Sequence, residues 1–269
     1  MRNILPFILG ILMLFSCSNS NNKKASSPAA SAATQPARIK TYRLDVVAEH
    51  PHDVNSYTQG LFFHDGVMYE STGQYGESSM RTVDMRTGKY IKRKKIDKKY
   101  FVEGSVVFDG DLYVLTWMEK TVFIYDPKTL ELKSQKAYPR EGWGLTTDGE
   151  YLIASDGTSN LYFLDKDLQL KRYVQVKLGN RPIKFLNELE YIDGKIWANV
   201  YTSDEIVIIN PKTGYVEGVI DCKDLLPQEL RTYDTDVLNG IACSPQDGKI
   251  YLTGKNWPKL YEIRLVPTN

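Results

Sequence analysis

Five Asp-Gly pairs, Asp65-Gly66, Asp109-Gly110, Asp148-Gly149, Asp193-Gly194 and Asp247-Gly248, each stand between two short apolar runs. That setting predicts a type I′ hairpin, because both central residues of such a turn need φ > 0. The glycines are 44, 39, 45 and 54 residues apart, a repeat length that belongs to propeller blades of four strands each. After each of the first four hairpins comes a third run ending near an acid or amide, at residues 81–84, 122–126, 161–165 and 206–210. A turn and a fourth run follow, as at residues 90–96 and 168–177. The fifth unit reaches only its third run, residues 260–265, and its missing strand is supplied by the N-terminal run 42–47. The expectation is an all-β, five-bladed β-propeller whose ring is closed by an N-terminal strand completing the last blade, which hides most sheet edges. The longest interval holds an insertion, residues 221–236, in which residues 223–230 read as a short helix on the rim.

The first residues do not belong to that repeat. Residues 4–15 are continuously apolar, too short for a membrane span and suited to a signal peptide. The stretch ends Leu14-Phe15-Ser16-Cys17, which resembles a bacterial lipobox with Cys17 as the lipid-bearing residue; an ordinary secretory signal with an incidental cysteine is the alternative. Residues 18–40, rich in Ser, Ala, Asn and Pro, read as a disordered tether. That leaves residues 41–269 for one propeller domain. The expected placement is extracytoplasmic, held to a bacterial membrane through the lipid only. With 34 basic and 33 acidic residues, and a single basic run at residues 92–95 that reads as a solvated outer strand, nucleic acid is not an expected partner. Cys222 and Cys243 fit either a disulfide or two buried thiols.

In a propeller the innermost strands line the central channel, so equivalent offsets in five repeats gather five side chains. Immediately before the first strand these are Gln59, Glu103, Trp143, Asn187 and Asn239, and seven residues past each hairpin glycine they are Gly73, Trp117, Asp156, Tyr201 and Lys255. A purely structural ring would repeat small or aliphatic residues. Acids, amides, indoles and an ammonium together are the mixture of a small-molecule pocket. Glu103 is the acid/base candidate; walling by Trp117 and Trp143 would raise its pKa by desolvation, and Lys255 would pull the other way. Taken singly, Glu103 also fits a solvated acid at a strand entry, the tryptophans fit core positions and Lys255 a surface site. No Gly-x-Ser-x-Gly, His-Glu-x-x-His or Walker-type loop is present, and the three histidines, His50, His52 and His64, are not placed for a metal site or triad.

At these residues the chain resembles the plant-type and bacterial glutaminyl-peptide cyclotransferases, also called glutamine cyclotransferases. The resemblance runs through Tyr57-Thr-Gln-Gly-Leu61, Tyr69-Glu-Ser-Thr-Gly-Gln-Tyr-Gly-Glu-Ser-Ser79, Glu141-Gly-Trp-Gly-Leu145, Ser155-Asp-Gly-Thr-Ser159, Leu186-Asn-Glu-Leu-Glu190, Leu238-Asn-Gly-Ile-Ala242 and Thr253-Gly-Lys-Asn-Trp-Pro-Lys259. It implies a five-bladed propeller that converts an N-terminal glutamine to pyroglutamate with release of ammonia, using no metal and no cofactor. By resemblance Gln59, Glu103, Trp117, Trp143, Asn187 and Lys255 carry over as pocket residues; the chemistry assigns Glu103 the catalytic proton shuttle, and Tyr201 joins the two tryptophans as the substrate-binding cage. Peptides or proteins with N-terminal Gln are the implied partners of a monomer. Val102 stands where the family has Gly, and Tyr201 where it has Trp. A calcium-dependent lactonase-like propeller and a non-catalytic peptide-binding propeller remain open, since Glu103, Asn187 and Asn239 also offer oxygen ligands around one axis.

Overall fold

Three of the five Asp-Gly pairs form the expected two-residue turns. Asp65, Asp109 and Asp193 have φ of 49°, 50° and 48°, their glycines are also left-handed, and the flanking residues pair directly, as His64 with Val67. The other two pairs sit in longer loops, since Thr147 pairs with Leu152 and Cys243 with Ile250. There only the glycine is left-handed. The Asp148 carboxylate instead accepts the backbone N–H groups of Glu150 and Tyr151, an Asx turn that absorbs the additional residues.

The structure, a computed structural model, describes residues 38–268; the expected signal peptide, Cys17 and residues 18–37 of the tether lie outside the described residues. Strand β1 spans Lys40–Pro51. Blade 1 contains β2 Thr58–His64, β3 Val67–Thr72, β4 Ser79–Asp84 and β5 Lys89–Lys95. Blade 2 contains β6 Val102–Phe108, β7 Asp111–Thr116, β8 Thr121–Tyr125 and β9 Leu132–Ala137. Blade 3 contains β10 Leu145–Thr147, β11 Leu152–Ser155, β12 Asn160–Leu164 and β13 Leu170–Gln175, followed by a small hairpin of β14 Lys177–Leu178 and β15 Arg181–Pro182. Blade 4 contains β16 Leu186–Ile192, β17 Lys195–Val200, β18 Glu205–Ile209 and β19 Val216–Asp221. Blade 5 contains β20 Leu238–Cys243, β21 Ile250–Gly254 and β22 Lys259–Pro267. Its fourth strand is β1, antiparallel to β22.

The closing strand does more than the repeat requires. Residues 40–43 of β1 also pair in parallel with residues 218–221 of β19, so blades 4 and 5 form one continuous eight-stranded sheet. The ring is therefore fastened by backbone hydrogen bonds to both neighbours of β1. Apolar packing adds to this. Five clusters of buried side chains fill the five blade interfaces, as with Phe62, Met80, Leu112 and Phe123 between blades 1 and 2. Each fully buried side chain of this size contributes about 1.5 to 3 kcal/mol.

The insertion after β19 is less helical than its sequence reads. Only Gln228–Leu230 forms a 3₁₀ turn. Asp224 is left-handed at φ 64°, and Pro227 has no N–H to give a longer helix, so residues 223–226 turn instead. Cys222 and Cys243 are both free. No helix among the described residues is long and apolar enough to cross a membrane.

Candidate active site

Four inner strands break register at the residue that faces the channel. Thr58 pairs with Thr72 and Gly60 with Ser71, which leaves Gln59 unpaired; Glu103, Asn187 and Asn239 fall in the matching gaps of β6, β16 and β20. Such bulges re-aim a side chain out of the pleat. The sequence reading placed these residues just ahead of the first strand, but each is the second residue of its strand, and only Trp143 precedes one. Serines from the preceding blade pin two of the bulges. The Ser71 hydroxyl donates to the Glu103 carbonyl at 2.6 Å, and the Ser155 hydroxyl to the Asn187 carbonyl at 2.8 Å.

Beneath the pocket the five backbones crowd the axis. A glycine follows the ring residue in four blades; Glu188 takes that place in blade 4. Its buried carboxyl accepts the backbone N–H groups of Leu61 in blade 1 and Ile241 in blade 5, at 3.1 and 2.9 Å. Burial and then the nearby Glu190 push its pKa well above the ordinary carboxylate range, against the pull of those two donors. A second buried group ties blade 5 to blade 1. His52 contacts the Trp257 carbonyl at 2.8 Å and Glu70 at 2.9 Å, and Arg81 pairs with both Glu70 and Asp53. Burial alone would raise the Glu70 carboxyl, but Arg81 and His52 hold it at about 2.

The ring residues open into a cavity of about 200 Å³ lined by Tyr57, Gln59, Phe101, Glu103, Trp117, Trp143, Asn187, Tyr201 and Lys255. All seven residues expected to handle substrate are brought together there. Three other ring members are not. Asn239 lies beside the pocket and donates its amide to Gln59 Oε1 at 3.2 Å and to the Thr58 carbonyl at 2.9 Å. Gly73 leaves room for the Phe101 ring, whose nearest atom would stand 2.4 Å from a Cβ. Asp156 turns away into a local turn with Thr158, and the following Gly157 backs the Trp143 ring.

The wall is a closed circuit of rings joined by two charges. Tyr57, Phe101 and Trp117 meet edge to face, with centroids 6.2 and 5.6 Å apart, and Trp143 meets Tyr201 at 5.8 Å. One carboxylate oxygen of Glu141 accepts both indole N–H groups, from Trp117 at 2.9 Å and Trp143 at 3.2 Å. On the far side the Lys255 ammonium stands 4.6 Å from the Tyr57 ring centre and 5.1 Å from that of Tyr201, in cation–π contact with both. The sequence reading missed Tyr57, Phe101 and Glu141. Their signal was present, since all three stand two residues ahead of a ring residue, but Glu141 matters through partners that only the folded chain supplies.

Glu103 is 5 % exposed, and Gln59 donates to one of its oxygens at 3.0 Å. Burial raises its pKa well above the ordinary range; Lys255 opposes the rise, and Glu119 and Glu141 add to it. Lys255, 3 % exposed, is shifted down by burial while Glu103 and Asp236 pull it back. The Asn187 side-chain oxygen is buried with no hydrogen-bond partner among the described residues. The pocket therefore presents a carboxyl of raised pKa, an acceptor unpaired among the described residues and a partly desolvated ammonium, all inside an aromatic wall.

The sequence profile described as glutamine cyclotransferase matches residues 14–265. The chain belongs to the glutamine cyclotransferase family. It is 43 % identical over 227 residues to a glutaminyl-peptide cyclotransferase of Arabidopsis thaliana, an alignment covering 82 % of this chain and 71 % of that one. The crystal structure of a Myxococcus xanthus glutaminyl cyclase superposes with a TM-score of 0.80 at 34 % identity, over 86 % of this chain and all of that one. The Tyr201 ring faces Trp143 edge-on while taking the Lys255 ammonium, so the circuit is closed with a tyrosine at that position.

Proposed function

We propose that this chain cyclises the N-terminal glutamine of peptides, with Glu103 carrying the protons. The neutral α-amine attacks the carbonyl carbon of its own γ-carboxamide, a C–N bond forms, and a tetrahedral oxyanion results. Glu103 takes the proton from the attacking nitrogen and delivers it to the departing one; the old C–N bond breaks and ammonia leaves with the closed ring behind it. The observation that carries this reading is the buried Glu103 carboxyl, held through one oxygen by Gln59, inside the pocket where Lys255 is also buried. A carboxyl of raised pKa is better matched to both halves of such a transfer than an ordinary one.

The other residues take roles by position. Lys255 supplies positive charge for the oxyanion. Asn187 offers its unpaired oxygen to an N–H of the substrate. The rings of Trp117, Trp143, Tyr201, Tyr57 and Phe101 hold the side chain folded back on its amine, the ring-closing conformer on which an intramolecular reaction depends. They also exclude water, which would hydrolyse the amide to a carboxylate instead of closing it.

The chemistry needs no metal, and a buried ammonium beside Glu103 opposes a divalent cation at the lactonase-like position. Ammonia release from a glutaminyl peptide, followed after exhaustive dialysis against a chelator, tests both points. Undiminished pyroglutamate formation is expected. Turnover that vanishes in folded protein and returns with calcium or zinc would overturn metal independence, and no turnover under any condition would leave a peptide-binding propeller.

We further propose that the mature chain is extracytoplasmic and anchored through lipid on Cys17, on the strength of the apolar run that ends there and the polar segment that follows. Lipid labelling is expected on the wild type and absent from Cys17→Ser. A wild-type protein that carries no lipid at Cys17 would reduce the reading to secretion alone.

A further inference from the structure

Two residues ahead of each channel-facing residue stands a third set: Tyr57, Phe101, Glu141, Phe185 and Val237. Backbone ties place four of them at one level. The carbonyls of Tyr57, Phe101, Phe185 and Val237 accept the N–H groups of Gly73, Trp117, Tyr201 and Lys255, at 2.8, 2.9, 2.8 and 2.9 Å. Tyr57 and Phe101 line the pocket. Phe185 occupies the same level in blade 4 and does not. It is 53 % exposed, and it alone of the five has a positive φ, 61°.

A bulky residue in the left-handed region is an outlier for an L-amino acid. Such a conformation persists only where the surroundings over-determine it, and it gathers at functional sites. Here two hydrogen bonds impose it. Phe185 donates its N–H to the Gly157 carbonyl at 2.8 Å and accepts from Tyr201 at 2.8 Å. Gly157 packs on Trp143, and Tyr201 meets Trp143 edge-on, so Phe185 is fixed by its backbone to the Trp143–Tyr201 side of the wall. The Phe185 ring is exposed, whereas its counterparts in blades 1 and 2, Tyr57 and Phe101, are half-buried in the pocket wall.

We propose that Phe185 determines specificity for the substrate residue that follows the N-terminal glutamine, by packing on an apolar side chain there. The inference rests on the glutaminyl reading above. The pocket floor is closed, because a Cβ at Gly60, Gly104 or Gly144 would come within 3 Å of neighbouring backbone, one at Gly240 would meet the Thr253 and Thr58 side chains at 3.0 and 3.2 Å, and Glu188 fills the fifth place. A peptide whose first residue enters a cavity of about 200 Å³ must leave by the mouth. At roughly 3.3 to 3.6 Å per residue, its second side chain stands at the level of the third set. On the Trp143–Tyr201 side the group waiting there is the exposed Phe185 ring.

The test compares kcat/KM for glutamine amide, a Gln-Leu peptide and a Gln-Asp peptide in wild type, Phe185→Ala and Phe185→Gly. The preference for the Gln-Leu peptide over both other substrates should fall about tenfold in each variant. Phe185→Gly relieves the left-handed strain, so it should melt no lower than wild type, which separates lost contact from lost fold. An unchanged preference in both variants, or an equal loss on all three substrates, would overturn the proposal. Failure of folded wild type to release ammonia from any of the three would instead sink the glutaminyl reading itself.

Discussion

Glu103→Gln should lower turnover of a glutaminyl peptide by about 10² or more while leaving the propeller folded. The replacement keeps the size of the side chain and an oxygen that can accept the Gln59 amide, the side-chain hydrogen bond Glu103 accepts among the described residues. What it removes is the exchangeable proton. The pH profile distinguishes this from a disturbed pocket. With its pKa raised by burial, Glu103 should place the acidic limb of kcat/KM above the range of an ordinary carboxylate. The free α-amine of the substrate, with a pKa near 7.7 to 8.0, should impose a second rise as it loses its proton. In the variant the first limb should disappear and the second remain. Circular dichroism and melting of the variant check the fold. Turnover within a few-fold of wild type, with the acidic limb intact, would remove Glu103 from the reaction.

The propeller was legible because its signals repeat. One Asp-Gly pair is a weak statement, but five at blade spacing fix blade number, and the incomplete fifth unit announces that a distant strand must complete it. The pocket was legible for the same reason: Gln59, Glu103, Trp117, Trp143, Asn187, Tyr201 and Lys255 share two offsets, and the fold brings equal offsets to one axis. What the sequence hid depends on neighbours it does not write down. The parallel pairing of β1 with β19 follows from how far β1 extends, not from any pattern within it. Glu141 is an acid before a glycine in sequence, and becomes a clamp only because the indoles of two blades point at one oxygen. The insertion failed as a helix because residues 223–230, read as a short rim helix, hold Pro227 and a left-handed Asp224.

Gly144→Ala should be the most destabilising of the small substitutions near the site, and its cause is contact, not backbone freedom, since Gly144 has no positive φ. A Cβ there would stand 1.9 Å from the Asn187 carbonyl oxygen and 2.9 Å from its carbon. Both are backbone atoms of the neighbouring inner strand, so no side-chain rotation relieves the overlap, and the strand itself has to move. Overpacking without an escape costs about 3 kcal/mol or more, which in a domain of this size lowers the melting temperature by roughly 6 to 12 °C. The damage should reach the chemistry as well. Gly144 donates its N–H to the Ser155 hydroxyl at 2.7 Å, and that hydroxyl holds the Asn187 carbonyl. Pushing the two strands apart breaks this relay and shifts Asn187, so KM for a glutaminyl peptide should rise even where the protein is still folded. Gly149→Ala is the control: a Cβ there meets nothing within 4 Å, but φ is 88°, so it should cost only the left-handed penalty of about 1 to 2 kcal/mol and leave KM unchanged. Equal melting of the two variants would mean that the inner strands have slack at the axis, and that the close approach around Gly144 does not set the position of Asn187.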